Sequence, residues 1–139
     1  MTYVVDPSLA LAWLLPDEHN KEAEAIRLEI ENGADAWIPI HWWFEVGNAL
    51  LMAERRGRIT AEQATHALTL LDALSLEEDE ETAEQIPART FSLARKHRLT
   101  LYDAAYLELA QRRGASLASF DSQLLDAAAK EGVWAQPKE

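Results

Sequence analysis

The sequence predicts an α/β fold of three layers, with a central, mainly parallel sheet of four to five short strands covered by helices on both faces. Three observations lead there. Short apolar runs of strand length alternate with longer runs of helical period. Several of the short runs stop at an acid where a helix begins. The run 99–110 is helical yet apolar almost all round, as befits a helix pressed into a core. Alternation of this kind makes each connection a crossover, so the strands run parallel and their C-terminal ends share one edge. Ligands of such sheets collect at that edge.

The elements follow in order. Residues 3–6 read as a buried strand ending at Asp6, and Pro7 opens a helix that runs to Pro16. A second helix spans 21–32, with Ala23, Ile26, Leu28 and Ile30 partly buried and Gly33 as its stop. The next strand is 36–40, where Pro39 marks either its end or an edge position. The helix over 42–53 carries Glu45 as its one charge, with Asn48 on the same face. The Trp42–Trp43 pair in it suits core packing or an interface, or stacking on bases.

Gly57 closes that helix, and Thr60 with Gln63 forms a capping box for a fourth. Residues 74–78 alternate apolar and acidic, as an edge strand would. A helix then covers 82–97, its start placed near Ile86 by Pro87. Thr100 caps the apolar helix, in which Glu108 is the charged outlet and Asp103 stands in the first turn. Gly114 ends it, 115–120 is a strand, and Asp121 caps a helix over 122–131. Residues 133–135 suit a last short strand.

The bulk numbers narrow the classes of function. A chain of 139 residues suits one domain, 1–139, with its own core. Its net charge of −11 opposes non-specific binding to a polyanion and favours a basic partner or bound cations. No cysteine is present, so disulfide frameworks and thiolate metal sites are excluded. No apolar run approaches the roughly 20 residues of a membrane span, and the N-terminus lacks a signal pattern, so the cytoplasm is the expected compartment. The basic groups Arg55–Arg58, Arg95–Arg98 and Arg112–Arg113 lie near helix C-termini, where cations complement the dipole or, less often, meet a phosphate backbone. His19, His41, His66 and His97 lack zinc spacing and read as ordinary surface or core residues.

Asp6, Glu45, Asp103 and Asp121 each stand at a junction that the topology brings to one edge. Each has a local explanation as a cap or a surface acid. Capping requires no convergence, however, and clustered carboxylates repel one another unless a cation holds them. Oxygen ligands alone favour Mg²⁺ or Mn²⁺. An all-acid site with such ions suits phosphodiester hydrolysis.

The successive motifs are Val5–Ser8 with Trp13–Pro16, then Glu45–Leu50, Leu101–Leu107 and Ser119–Asp121. Together and in this order they resemble the motifs of PIN-domain proteins, particularly VapC-type toxins, over nearly the whole chain. The resemblance implies a PIN-like three-layer fold and a Mg²⁺- or Mn²⁺-dependent endoribonuclease. It also implies the toxin of a toxin–antitoxin pair, a homodimer inhibited by a VapB-type antitoxin. It makes Asp6, Glu45, Asp103 and Asp121 the catalytic, metal-binding acids, with Ser8 and Ser119 as hydroxyl contacts. Two other classes stay open on the residues alone. One is a non-catalytic acidic module that binds a basic partner. The other is a phosphatase with Asp6 as nucleophile, disfavoured because Ser8 breaks the usual Asp-x-Asp pattern.

Overall fold

Tyr3, Val4 and Val5 are buried because their strand, β1 (Thr2–Val5), is the middle of the sheet. In the computed structural model, which describes residues 1–137, β1 lies between β2 (Asp35–Ile38) and β4 (Ser116–Ala118). Beyond them are β3 (Leu76–Glu78) and β5 (Ala135–Gln136). The order is β3-β2-β1-β4-β5 and every neighbouring pair is parallel. Helices cover both faces, giving the expected three layers.

Two helices, α1 (Pro7–Leu14) and α2 (Lys21–Glu31), connect β1 to β2, and α3 (Trp42–Arg55) and α4 (Ala61–Ala73) connect β2 to β3. The return from β3 to β4 uses α5 (Thr82–Gln85), a π-helical turn at Ile86–Thr90, α6 (Phe91–His97) and α7 (Leu101–Arg113). The last helix, α8 (Ser122–Lys130), leads to β5. The chain builds outward from β1 to β3 and then crosses to the other side of β1. That reversal places a crevice at the C-terminal ends of β1 and β4, where sheets of this kind bind ligands.

Local chemistry explains most boundaries. Thr60 and Gln63 make the reciprocal capping box that starts α4, with bonds of 3.1 and 2.9 Å. Gly114 ends α7 in the left-handed region, at a φ of 61°. Pro39 marks the end of β2 and not an edge, since β2 is an interior strand. The expected start near Ile86 is corrected: the helix begins at Thr82, and the π-helical turn takes in Pro87 and continues directly into α6. The final strand falls at 135–136, later than 133–135, where it pairs with Leu117 and Ala118.

Glu108 corrects the sequence reading most sharply. It is fully buried, and Arg112 one turn on binds it through Nε at 2.8 Å and Nη2 at 3.0 Å. The same guanidinium reaches the buried Asp79 at 2.7 and 2.9 Å. Asp79 also receives the Thr82 hydroxyl at 2.6 Å and Arg113 at 3.0 Å. Burial alone would raise the Asp79 carboxyl, yet these partners hold it well below the usual carboxylate range. Arg113 also lies 3.6 Å over the Trp37 ring, and Arg58 grips Asp17 and Glu18. These cations of the basic clusters are occupied with the protein itself.

Glu131, after α8, ties to α6 and α7. Lys96 Nζ and His97 Nε2 lie 2.8 and 2.6 Å from its Oε2, and Gln111 donates to Oε1 at 3.2 Å. Lys96, then His97, lowers its carboxyl to about 2. A depressed carboxylate stabilises the fold above its unfolded value of roughly 4.3 and loses that contribution as pH falls toward 2. Thermal melts from pH 6 to pH 2.5 should therefore fall less steeply for Glu131→Gln than for the parent.

Candidate active site

Asp6 follows the last residue of β1, and its N–H donates to the Ala118 carbonyl of β4 at 2.9 Å. That bond sets the acid at the C-terminal edge of two strands. Glu45 reaches the same edge from the first turn of α3, which starts where β2 ends. Helix α7 runs back toward the start of β4, so its N-terminus, with Asp103, also lies at this edge. Asp121 caps α8 just beyond β4. All four sequence-predicted acids are thus on one edge of the sheet.

Each of three acids is anchored through a single oxygen. Asp6 Oδ2 receives the Ser8 and Ser119 hydroxyls, the latter at 2.9 Å, and the Ser8 N–H at 3.3 Å. Asp121 Oδ1 accepts the N–H groups of Gln123 and Leu124 at 3.0 and 3.2 Å. Glu45 Oε1 accepts the Tyr106 hydroxyl at 2.6 Å. Among the described residues no hydrogen bond reaches Oδ1 of Asp6, Oδ2 of Asp121 or Oε2 of Glu45. Ser8 and Ser119 are therefore tied to Asp6, and they are used twice over. Their oxygens also accept the N–H groups of Phe120 and Asp121, both at 2.9 Å, which pins the loop after β4 onto Asp6.

Asp103 is the electrostatic hub. Its backbone N–H donates to the Thr100 hydroxyl at 3.1 Å, as an N-cap requires. Burial raises its carboxyl, repulsion from Asp121 adds to this, and the Thr100 hydroxyl and His41 oppose it. Burial likewise lifts Asp6 to about 6 against the Ser8 and Ser119 bonds, with the Asp103 charge contributing. Burial raises Glu45 too, partly offset by Tyr106 and reinforced by Asp103. All three of the other acids therefore interact with Asp103.

The acids do not close into a finished cage: among the described residues no three His, Asp or Glu side chains stand together as a formed ion site. The donor set nonetheless fits a hard divalent cation. It consists of three carboxylates that each repel the Asp103 charge, all three oriented through one oxygen with no hydrogen bond to the other among the described residues.

Sequence reasoning missed two residues here. His41 read as an ordinary histidine, yet its ring packs edge-on against Tyr102 and Tyr106, with centroids 5.6 and 5.3 Å away. Burial lowers its pKa, against the pull of the Tyr102 carbonyl and Asp103. Tyr106 is fully buried, and its hydroxyl needed a partner that only the fold could supply. Their spacing from Asp103 and Glu45 was the available signal, since residues three or four apart share a helix face. Trp42 is fully buried and packs edge-on against Trp43, so its ring serves the core.

A five-stranded parallel sheet with four acids at its switch-point edge is the arrangement of a PIN domain. The sequence model of that family matches residues 3–130, and the chain belongs to the PIN-domain family. It is 30% identical over 126 residues to Ribonuclease VapC3 of Pyrobaculum aerophilum, covering 91% of this chain and 94% of that protein. The crystal structure of PAE2754 from the same organism matches with a TM-score of 0.71 at 26% identity, over 97% of this chain and 89% of that one. VapBC2 of Rickettsia felis, bound to a DNA fragment from its promoter, matches over the whole of both chains with a TM-score of 0.69 at 12% identity. VapC20 of Mycobacterium tuberculosis, a sarcin-ricin loop cleaving toxin, gives 0.61 at 19% identity over 90% and 94% of the two chains. At these identities the last two share the fold alone.

Proposed function

We propose that the chain is a metal-dependent endoribonuclease, the toxin of a toxin–antitoxin pair, which hydrolyses RNA phosphodiester bonds at the edge lined by Asp6, Glu45, Asp103 and Asp121. One observation carries the reading: Asp6, Glu45, Asp103 and Asp121 come from separate elements to one edge of the sheet, and Asp6, Glu45 and Asp121 are each held through one oxygen. Clustered charge of that kind is unfavourable without a cation. Asp6, Asp103 and Glu45, with Asp121 beside them, would hold Mg²⁺ or Mn²⁺. Such an ion supplies positive charge for the phosphoryl oxygens and favours deprotonation of water. The chain's part is placement. Ser8 and Ser119 hold Asp6, the α8 cap holds Asp121, and the Thr100 cap fixes the turn that carries Asp103. The name of the 30%-identical relative, a ribonuclease, supports the reaction class.

An antitoxin of VapB type is the proposed partner, supported by structural neighbours that are toxin–antitoxin complexes. The homodimer and the cytoplasmic location belong to the same proposal. No helix among the described residues is long and apolar enough to cross a membrane.

The test uses protein freed of co-purifying antitoxin and a pool of structured RNAs, with Mg²⁺, with Mn²⁺ and with EDTA. Discrete fragments in either metal and none in EDTA are the expected result. Cleavage that persists in EDTA overturns the metal dependence. Intact RNA throughout, with Mn²⁺ bound to folded protein, overturns the ribonuclease reading in favour of a binding module.

A further inference from the structure

Glu45 and Tyr106 are 61 residues apart in sequence and come from different helices, α3 and α7. Tyr106 has no exposed surface, and its hydroxyl stands 2.6 Å from Glu45 Oε1. An ionised carboxylate only accepts, so the phenol is the donor. A charge-assisted bond of this length holds Oε1 in place and so restricts the directions open to Oε2. The ring is held in turn. It meets His41 edge-on, and His41 Nε2 lies 3.1 Å from the Tyr102 carbonyl and 3.4 Å from Glu45 Oε1. Tyr106 also follows Asp103 by three positions, on the same face of α7. One rigid helix therefore presents both an acid and the group that aims a second acid.

We propose that Tyr106 is a positioning residue: its hydroxyl engages Oε1 of Glu45 and turns Oε2 toward the divalent ion beside Asp103, with His41 bracing the ring. The inference rests on the reading of Glu45 as an ion-binding acid and adds a residue that works through it. Groups that orient a metal's carboxylate ligands set affinity nearly as much as the ligands do, and their loss typically weakens binding about 10–100-fold.

The experiment titrates Mn²⁺ calorimetrically into metal-free full-length protein as the parent, Tyr106→Phe, Glu45→Gln and the double variant. Melting curves without metal check each fold. Tyr106→Phe should weaken Mn²⁺ binding about tenfold or more, and excess Mn²⁺ should restore RNA cleavage. In the Glu45→Gln background the same change should alter affinity less than about twofold, because the carboxylate it aims is gone. Unchanged Mn²⁺ affinity in Tyr106→Phe overturns the proposal. Losses that multiply in the double variant also overturn it, since they mark a general structural effect. A parent that binds no Mn²⁺ overturns the metal reading itself, whereas a binding parent with an indifferent Tyr106→Phe removes this inference alone.

Discussion

Asp103→Asn abolishes RNA cleavage and at the same time raises the melting temperature of the metal-free protein: this pair of effects is the expected result. Asparagine has nearly the same shape, and the Thr100 cap depends on the backbone N–H of residue 103, so α7 still starts where it did. Loss of the hub carboxylate removes the group that the other three acids share, and a fall on the order of a thousandfold or more follows. The stability gain comes from the same charge. A carboxyl whose folded value is raised is a net cost once ionised, so at neutral pH the Asp103 charge destabilises the fold through burial and repulsion from Asp121. Relief of each kcal/mol raises Tm by roughly 2–4 °C in a protein of this size class. Mg²⁺ should narrow the gap, because it stabilises the parent by binding its native state and has little hold on the variant. Scanning calorimetry with and without Mg²⁺, beside the cleavage assay, reads both. A variant that melts earlier than the parent without metal would show that Asp103 is a structural acid.

Arg112→Leu is the largest expected loss of stability. The change leaves Glu108 fully buried with no guanidinium, and Asp79 with only Thr82 and Arg113. Removing one partner of a buried ion pair costs about 3–5 kcal/mol, against a total stability of about 5–15 kcal/mol for a domain. Urea denaturation should show the midpoint falling by about a fifth or more. Pairing the change with Glu108→Leu should restore much of the loss, since the buried charge leaves with its partner. A single variant within 1 kcal/mol of the parent would mean that water reaches Glu108.

The two residues differ in how far the sequence reveals them. Asp103 was legible because an acid in the first turn of an apolar helix breaks a pattern that local rules otherwise satisfy. Asp6 and Asp121 were legible as junction residues for the same reason, and the capping box of Thr60 and Gln63 is wholly local. Glu108 and Asp79 were not legible. Their burial depends on Arg112 folding back across two elements, and an acid with a basic residue four positions on looks the same on a surface helix. His41 and Tyr106 were hidden likewise, because their partners lie 61 residues away. Pro87 misled for a subtler reason: a π-helical turn admits a proline in a helix that strict α geometry would end there.

The order of the strands also sets when the site comes into being. Asp6 follows the first strand of the fold, but the hydroxyl and loop that complete its surroundings, from Ser119 to Asp121, lie more than a hundred positions later. The segment through β3 carries Asp6 and Glu45. It cannot supply Asp103 or seat the strand that locks Asp6, because α7 and β4 both follow β3. A growing polypeptide, or one truncated before β4, thus lacks the complete centre. On the proposed reading, the protein cannot cut RNA until the segment through Asp121 has left the ribosome and packed against β1, which leaves time for an antitoxin made alongside to meet it.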